Sequence, residues 1–328
     1  MARGKTVNGI PAYLINGMKA EGDTADEVLK NAQLDFKIGK ENLLTEGGKL
    51  LDKRFMRTFR EDTDHTFGVV GHGYEVIQNA EVLAIADKFV ENKDMTWDRV
   101  GVRKDGADIW GSFKLNEEFS IKGFDQIDQY VYLCNSNDGN GALKVVPMNI
   151  RPMCTNQYAH IAGSLKDANI NLRDLTIRHS SKMTERIDKL ANALDIVDHL
   201  NENFVLKAEE MMEFEMSIPD REEFYITALG LGKDSKLKGK DNKHGLKTRG
   251  MNTLNAIFEV EGHENNTVGG IGGTAWGTLN TLTQYIDHNW ILNGSGEVKA
   301  SAADSAIFGT MGKMKSKAFD DLQVRMVA

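Results

Sequence analysis

The chain has 328 residues, and its 40 Lys+Arg against 48 Asp+Glu give a formal charge of −8. With 41% hydrophobic and 27% charged residues it has the balance of a folded globular chain, which excludes wholesale disorder. No apolar run approaches the ~18 residues of a membrane helix. The opening MARGKTVNGIPAYLING lacks the apolar stretch of a signal peptide, so a cytoplasmic location without membrane contact is expected.

Residues 1–54 are rich in Gly, Asn and charge and read as an N-terminal arm, with one short helix over Thr24–Leu34 capped by Asp23. A core over residues 55–290 follows. Phe67–Val70 and Tyr74–Ile77 read as short strands, and Asn79 caps a helix presenting Val82, Leu83, Ala86, Phe89 and Val90 on one face. Trp97–Arg103 and Ala107–Leu115 form strands around the turn Lys104-Asp105-Gly106. Ile127–Cys134 alternates, and Asp138-Gly139-Asn140-Gly141 is a hairpin signal. The strand Ala142–Cys154 carries Pro147 and Pro152, which predicts an edge or bulged strand because proline donates no ladder bond. A short helix is expected around Thr155–Leu165 and a strand at Leu175–His179.

Met183 to Met216 carries the longest regular pattern. Met183, Ile187, Leu190, Leu194, Val197, Asn201, Phe204, Ala208 and Met211 step by four and three, which places them on one seam of a long helix. That seam packs on the sheet or meets a second copy of the chain. Residues 233–249 form an exposed loop with a local charge of +5, Met251–Val260 is a short helix or strand, and Thr274 caps a helix burying Ala275, Leu279, Leu282 and Ile286. The tail, 291–328, ends in a short basic helix with Lys313, Lys315 and Lys317. The fold class is therefore α+β: a twisted antiparallel β-meander and hairpin sheet packed with a long amphipathic helix and flanking helices.

The sequence carries little catalytic signal. The eight histidines show no metal-pair spacing, there is no GxSxG elbow, and Cys134 and Cys154 read as reduced thiols. Asp287-His288 is the nearest approach to an acid–base pair. The acids from Glu209 to Glu223 read as a solvated face. Gly269-Gly270-Ile271-Gly272-Gly273 lacks a P-loop ending and is read as a turn or close packing, or as a phosphate cradle. No cofactor or metal is expected. Basic residues beside the sheet carry a sharper reading. Lys144, Arg151, Asn156, Arg178, His179, Lys182 and Arg186 lie on the last strands and the start of the long helix. Together they could form a groove for a phosphate backbone, with Tyr130, Tyr132 or Tyr158 stacking on bases and Lys247 and Arg249 engaging a second strand.

The runs VGHGYEVIQNAEVLAIADKFVE, DQIDQYVYLCNSNDGNGALKVVPMNIRPMCTNQ, LTIRHSS and GGTAWGTLNTLTQYIDH follow in that order between about Phe55 and His288. They resemble the phage/plasmid-like protein family, domain-of-unknown-function family nine hundred thirty-two, with a fainter echo in FGTMGKMKSKAFDDL. The resemblance implies a protein of phages, plasmids or laterally moved islands. Its hairpin, meander and long helix are similar to the core of single-strand annealing proteins of the Red-beta, RecT, Erf and Rad-type superfamily. That likeness implies a ring or filament holding one strand in a basic groove. The acidic charge and the lack of a run of aromatics depart from that pattern.

The expectation is a non-catalytic homo-oligomer, assembled through the Met183–Met211 helix, that binds single-stranded DNA and anneals strands in mobile-element recombination. The alternative is a host-takeover protein that meets other proteins and no nucleic acid. A metal-dependent enzyme built around Asp287-His288 ranks third.

Overall fold

The computed structural model describes residues 17–92, 95–116, 119–151, 156–159, 175–181, 193–239, 241–290 and 310–327. An antiparallel meander forms its centre: β5 (Met95–Arg103), β6 (Asp108–Leu115), β8 (Asp125–Ser136) and β9 (Leu143–Arg151) pair in that order. β1 (Met18–Lys19) joins the β5 side, and β7 (Phe119–Ile121) pairs with β8. β10 (Asn156–Ala159) and β11 (Thr176–Ile177) both pair with β9. A second, three-stranded sheet comprises β2 (Ile38–Asn42), β3 (Phe55–Arg60) and β4 (His65–Gly71).

Alternation along the central strands assigns their faces. Val131, Leu133, Leu143 and Val145 face α1 (Ala25–Asn31) and α2 (Asn79–Asn92). Tyr132, Cys134, Val146 and Met148 face the other layer, which contains α3 (Ala193–Glu213), α4 (Ile218–Ala228), α5 (Thr248–Glu261), α6 (Ala275–Tyr285) and α7 (Thr310–Val327). Period-two burial on both faces is what a sheet covered on both sides requires. Thr24, Ser217 and Thr274 cap α1, α4 and α6 by accepting a backbone N–H from the first turn, each worth about 1 kcal/mol. No helix among the described residues is long and apolar enough to cross a membrane.

Several expectations change. The described part of the expected arm, residues 17–54, packs into the body: Val28, Leu29, Leu34 and Ile38 lie in the core, and β2 pairs with β3 across the expected boundary. The helix expected in the C-terminal segment is present as α7, which buries Ala318, Phe319 and Leu322 in the core. Tyr74–Ile77 is not a strand. Residues 156–159, expected in a helix, form β10, because pairing with Met148–Arg151 overrides a weak local helical pattern.

Strand β9 is interior, not an edge. Pro147 is accommodated because β11 pairs with Leu143 and Lys144 while β10 starts at Met148, so Pro147 falls between its two partners on that side. The remaining expected helix, beyond residue 159, lies outside the described residues. Within α3, Phe204, Ala208 and Met211 are buried against the chain's own core, so this part of the seam does not meet a second copy. Met183, Ile187 and Leu190 lie outside the described residues, as do the side chains of Leu194, Val197 and Asn201.

Candidate nucleic-acid interface

An antiparallel meander places every second turn at the same end of the sheet. The β5–β6 turn and the β8–β9 hairpin therefore lie side by side. Lys104 (φ 50°) and Asp105 (φ 55°) hold left-handed backbone in the first turn, and Gly139 (φ 83°) does so in the second. Such a conformation costs non-glycine residues of order 1 kcal/mol each and persists where surrounding contacts fix it. Here the fixing contacts are ionic. Lys104 Nζ lies 2.9 Å from Asp138 Oδ2 and 3.3 Å from Asp108 Oδ2, and Arg103 Nη2 lies 3.6 Å from that same Asp108 oxygen.

The polar cleft formed there has a volume of about 290 Å3, and Arg103, Lys104, Asp108 and Lys144 are its charged lining residues. Three cations, Arg103, Lys104 and Lys144, thus meet two carboxylates, Asp108 and Asp138, an excess of one positive charge. Burial pushes Asp138 up, but hydrogen bonds from Lys104, the Asn140 N–H and Ser136 outweigh it and hold the carboxyl below its ordinary range. Lys144 pairs across the ladder with Thr176, and Arg178, two residues further on, is exposed. Lys144 and Arg178 therefore share this end of the sheet with Arg103 and Lys104, which residue types alone did not single out.

Other expected groove residues lie elsewhere. Arg151 is fully buried, with Nε 2.5 Å from Asp125 Oδ1, and Trp276 Nε1 donates to Asp125 Oδ2 at 2.7 Å. Arg151 is a structural ion-pair residue and does not face solvent. His179 is 9% exposed, stacks on Tyr74 at 4.4 Å and donates from Nδ1 to the Glu75 carbonyl at 2.7 Å. Burial holds its imidazole below the ordinary value, the carbonyl bonds opposing this only in part. Tyr132 is buried and stacked on Trp110, and Tyr130 is half-buried, so Tyr132 is unavailable to a base. Asn156 lies opposite Arg151 in β10, and its side chain is outside the described residues, as are Tyr158's side chain, Lys182 and Arg186.

Lys247 and Arg249 are exposed and line a second cavity, of about 580 Å3. It opens where α4 ends in a Schellman turn: the Leu231 N–H bonds Ile226 O, the Gly230 N–H bonds Thr227 O, and Gly230 takes φ 59°. The Lys247 N–H then donates to Gly232 O, which sets the start of α5 beside that turn. A π-turn, Ile286–Trp290, closes the third side with Tyr285 and Asn289. Part of the +5 loop is neutralised. Lys233 pairs with Glu223 at 3.1 Å and Lys243 with Glu222, so those two acids are not a free solvated face.

The remaining chemical candidates are structural too. Asp287 is buried against Lys315 Nζ at 2.8 Å, which ties α7 to the π-turn. No cluster of His, Cys, Asp and Glu that could hold a metal ion occurs among the described residues. Cys134 is a buried free thiol, and Cys154 lies outside the described residues.

No curated protein and no solved structure matches the chain. A family model does, over residues 66–308, a span that contains the meander, both clefts and the π-turn and roughly three quarters of the 328 residues. The chain belongs to the family described as Domain of unknown function (DUF932).

Proposed function

We propose that the protein binds single-stranded DNA without sequence preference and promotes strand annealing as a homo-oligomer, in the cytoplasm of a bacterium hosting a phage or other mobile element. The observation that carries this reading is the grouping of Arg103, Lys104 and Lys144 around one cleft at the sheet end, with exposed Arg178 on the adjoining strand. An acidic protein binds a polyanion through local positive potential, and phosphate contacts of this kind position a strand without reading its bases. Lys247 and Arg249 supply a second, separate cationic surface for a partner strand. No covalent step is required of any residue.

The test is anisotropy of a labelled oligonucleotide titrated with salt. Binding weakens linearly in log–log form as counterions are released, with a slope of about −0.7 per phosphate contact on a single strand. No anisotropy change at low salt and micromolar protein removes this reading.

A second reading, a protein-interaction role without nucleic acid, is favoured by one observation. Leu44, Leu50, Leu51, Phe55 and Val69 are all exposed on the small sheet and its hairpin. Exposed apolar clusters of this kind mark contact surfaces. Flat anisotropy together with a stable complex with a host protein promotes it.

A further inference from the structure

The second cavity has a chemistry of its own. Of the cations in the 233–249 segment, Lys233 and Lys243 are neutralised by Glu223 and Glu222. Lys247 and Arg249 form no ion pair with a described residue, and they are the two that line the cavity. No acid lines it. The first turn of α5 also lacks an acid and has no side-chain cap, so its leading N–H groups add positive potential at the same place. The other polar lining residues are Thr253, Tyr285 and Asn289, which are neutral donors or acceptors.

We propose that this cavity binds a phosphate monoester, with Lys247 and Arg249 holding the anion and Tyr285, at the end of α6, and Asn289, in the π segment, flanking the attached group. A volume of about 580 Å3 far exceeds one phosphate and lies within the range of sites for small organic ligands. A guanidinium beside an ammonium suits a phosphate dianion, because charge-assisted bonds to phosphate are roughly twice as strong as neutral ones. The monoester comes either from a free nucleotide or from the 5′ end of a strand. The assignment deepens the strand-binding reading at Lys247 and Arg249 but does not need it, because a terminal monoester is a dianion distinct from the internal phosphodiesters proposed for the Lys144 cleft.

Calorimetry on the full chain with thymidine 5′-monophosphate and with thymidine tests it. The monophosphate binds at least about tenfold tighter than the nucleoside, and Lys247→Ala with Arg249→Ala removes about tenfold or more of that affinity. The charge-matched control, Lys236→Ala with Lys238→Ala in the same loop but outside the cavity, loses less than about twofold. Circular dichroism checks that both double variants are folded, the outcome expected because all four side chains are exposed. Displacement of the monophosphate by a 5′-phosphorylated oligonucleotide, and not by its 5′-hydroxyl twin, assigns the strand end as the source. Failure of both to displace it assigns the free nucleotide. Equal binding of nucleoside and nucleotide, or equal loss in the control, overturns the proposal.

Discussion

Arg151 and Asp125 meet at 2.5 Å with both side chains at 0% exposure, and Trp276 closes the remaining carboxylate oxygen from α6. This contact joins β9, β8 and the helical layer at one point. Removing one member of such a pair leaves an uncompensated buried charge, which typically costs about 3–5 kcal/mol, whereas an apolar replacement of similar volume is often close to neutral. Asp125→Ala is therefore expected to lower the urea midpoint severely, and Asp125→Ala with Arg151→Met to recover much of the loss. If the double variant is no better than the single one, the ionic account of this site is wrong.

The same burial separates Arg151 from strand binding. Lys144→Ala with Arg178→Ala removes two phosphate contacts and should flatten the log–log salt slope by about 1.4. Arg151→Met, in whatever fraction remains folded, should leave that slope unchanged. An altered slope for Arg151→Met, measured on protein verified as monodisperse, would mean that the guanidinium reaches solvent.

His179 supplies a pH dependence. Burial makes the folded protein bind the imidazole proton less readily than the unfolded chain, whose histidine titrates near ~6.5. The associated stability is complete above that value and is lost as pH falls through it toward the lower folded-state value. His179→Phe keeps a ring stacked on Tyr74 but does not titrate. Urea midpoints at about pH 7.5 and 5.5 should fall more for the wild type than for this variant, and parallel falls would place the acid sensitivity elsewhere.

How far the sequence reached depends on whether a feature is local. Strands β5, β6, β8 and β9 were legible because their alternation is bounded by KDG and DGNG turns. The start of α6 was legible from its Thr274 cap and α2 from its apolar spacing, although Asn79 does not cap α2: its side-chain Nδ2 donates to the Leu34 carbonyl instead. A strand residue's partner is not local: nothing near Arg151 points to Asp125, 26 positions earlier, so a cation on a strand read as a solvent-facing one. Arg103 and Lys104 were missed although the signal existed. In a meander the β5–β6 and β8–β9 turns share an end, so KDG and DGNG had to be neighbours. Helical spacing likewise marked Phe204, Ala208 and Met211 as apolar without saying that α6 and α7, more than 60 residues later, cover them.

That seam leaves a testable division along α3. Phe204 is buried between Trp276 and Phe319, so Phe204→Ala should cost about 3–5 kcal/mol in the core. Leu206, on the same helix, is 57% exposed, and Leu206→Glu should stay within about 0.5 kcal/mol of the wild type. For a homo-oligomer assembled through this helix, Leu206→Glu lowers the mass in light scattering while the melting temperature holds. Unchanged mass in a folded variant assigns any self-association to another surface.

Gly68 joins the small sheet to the cleft. A Cβ built there would sit 2.2 Å from the Asp138 carbonyl oxygen, inside any tolerable contact, and Thr58 Oγ1 donates to the neighbouring Asn137 carbonyl at 2.6 Å. Gly68→Ala must therefore push β4 away from the β8–β9 hairpin, and overpacking of this kind costs about 1–3 kcal/mol. The hairpin also holds Asp138, the partner that fixes Lys104 over the cleft, so the strain reaches the cationic cluster directly. Gly71, at the end of the same strand, has no atom within 4 Å of a built Cβ, which makes Gly71→Ala the matched control. Oligonucleotide affinity should fall with Gly68→Ala and hold with Gly71→Ala. A weakened melting temperature with unchanged affinity would show that the hairpin positions nothing the strand touches.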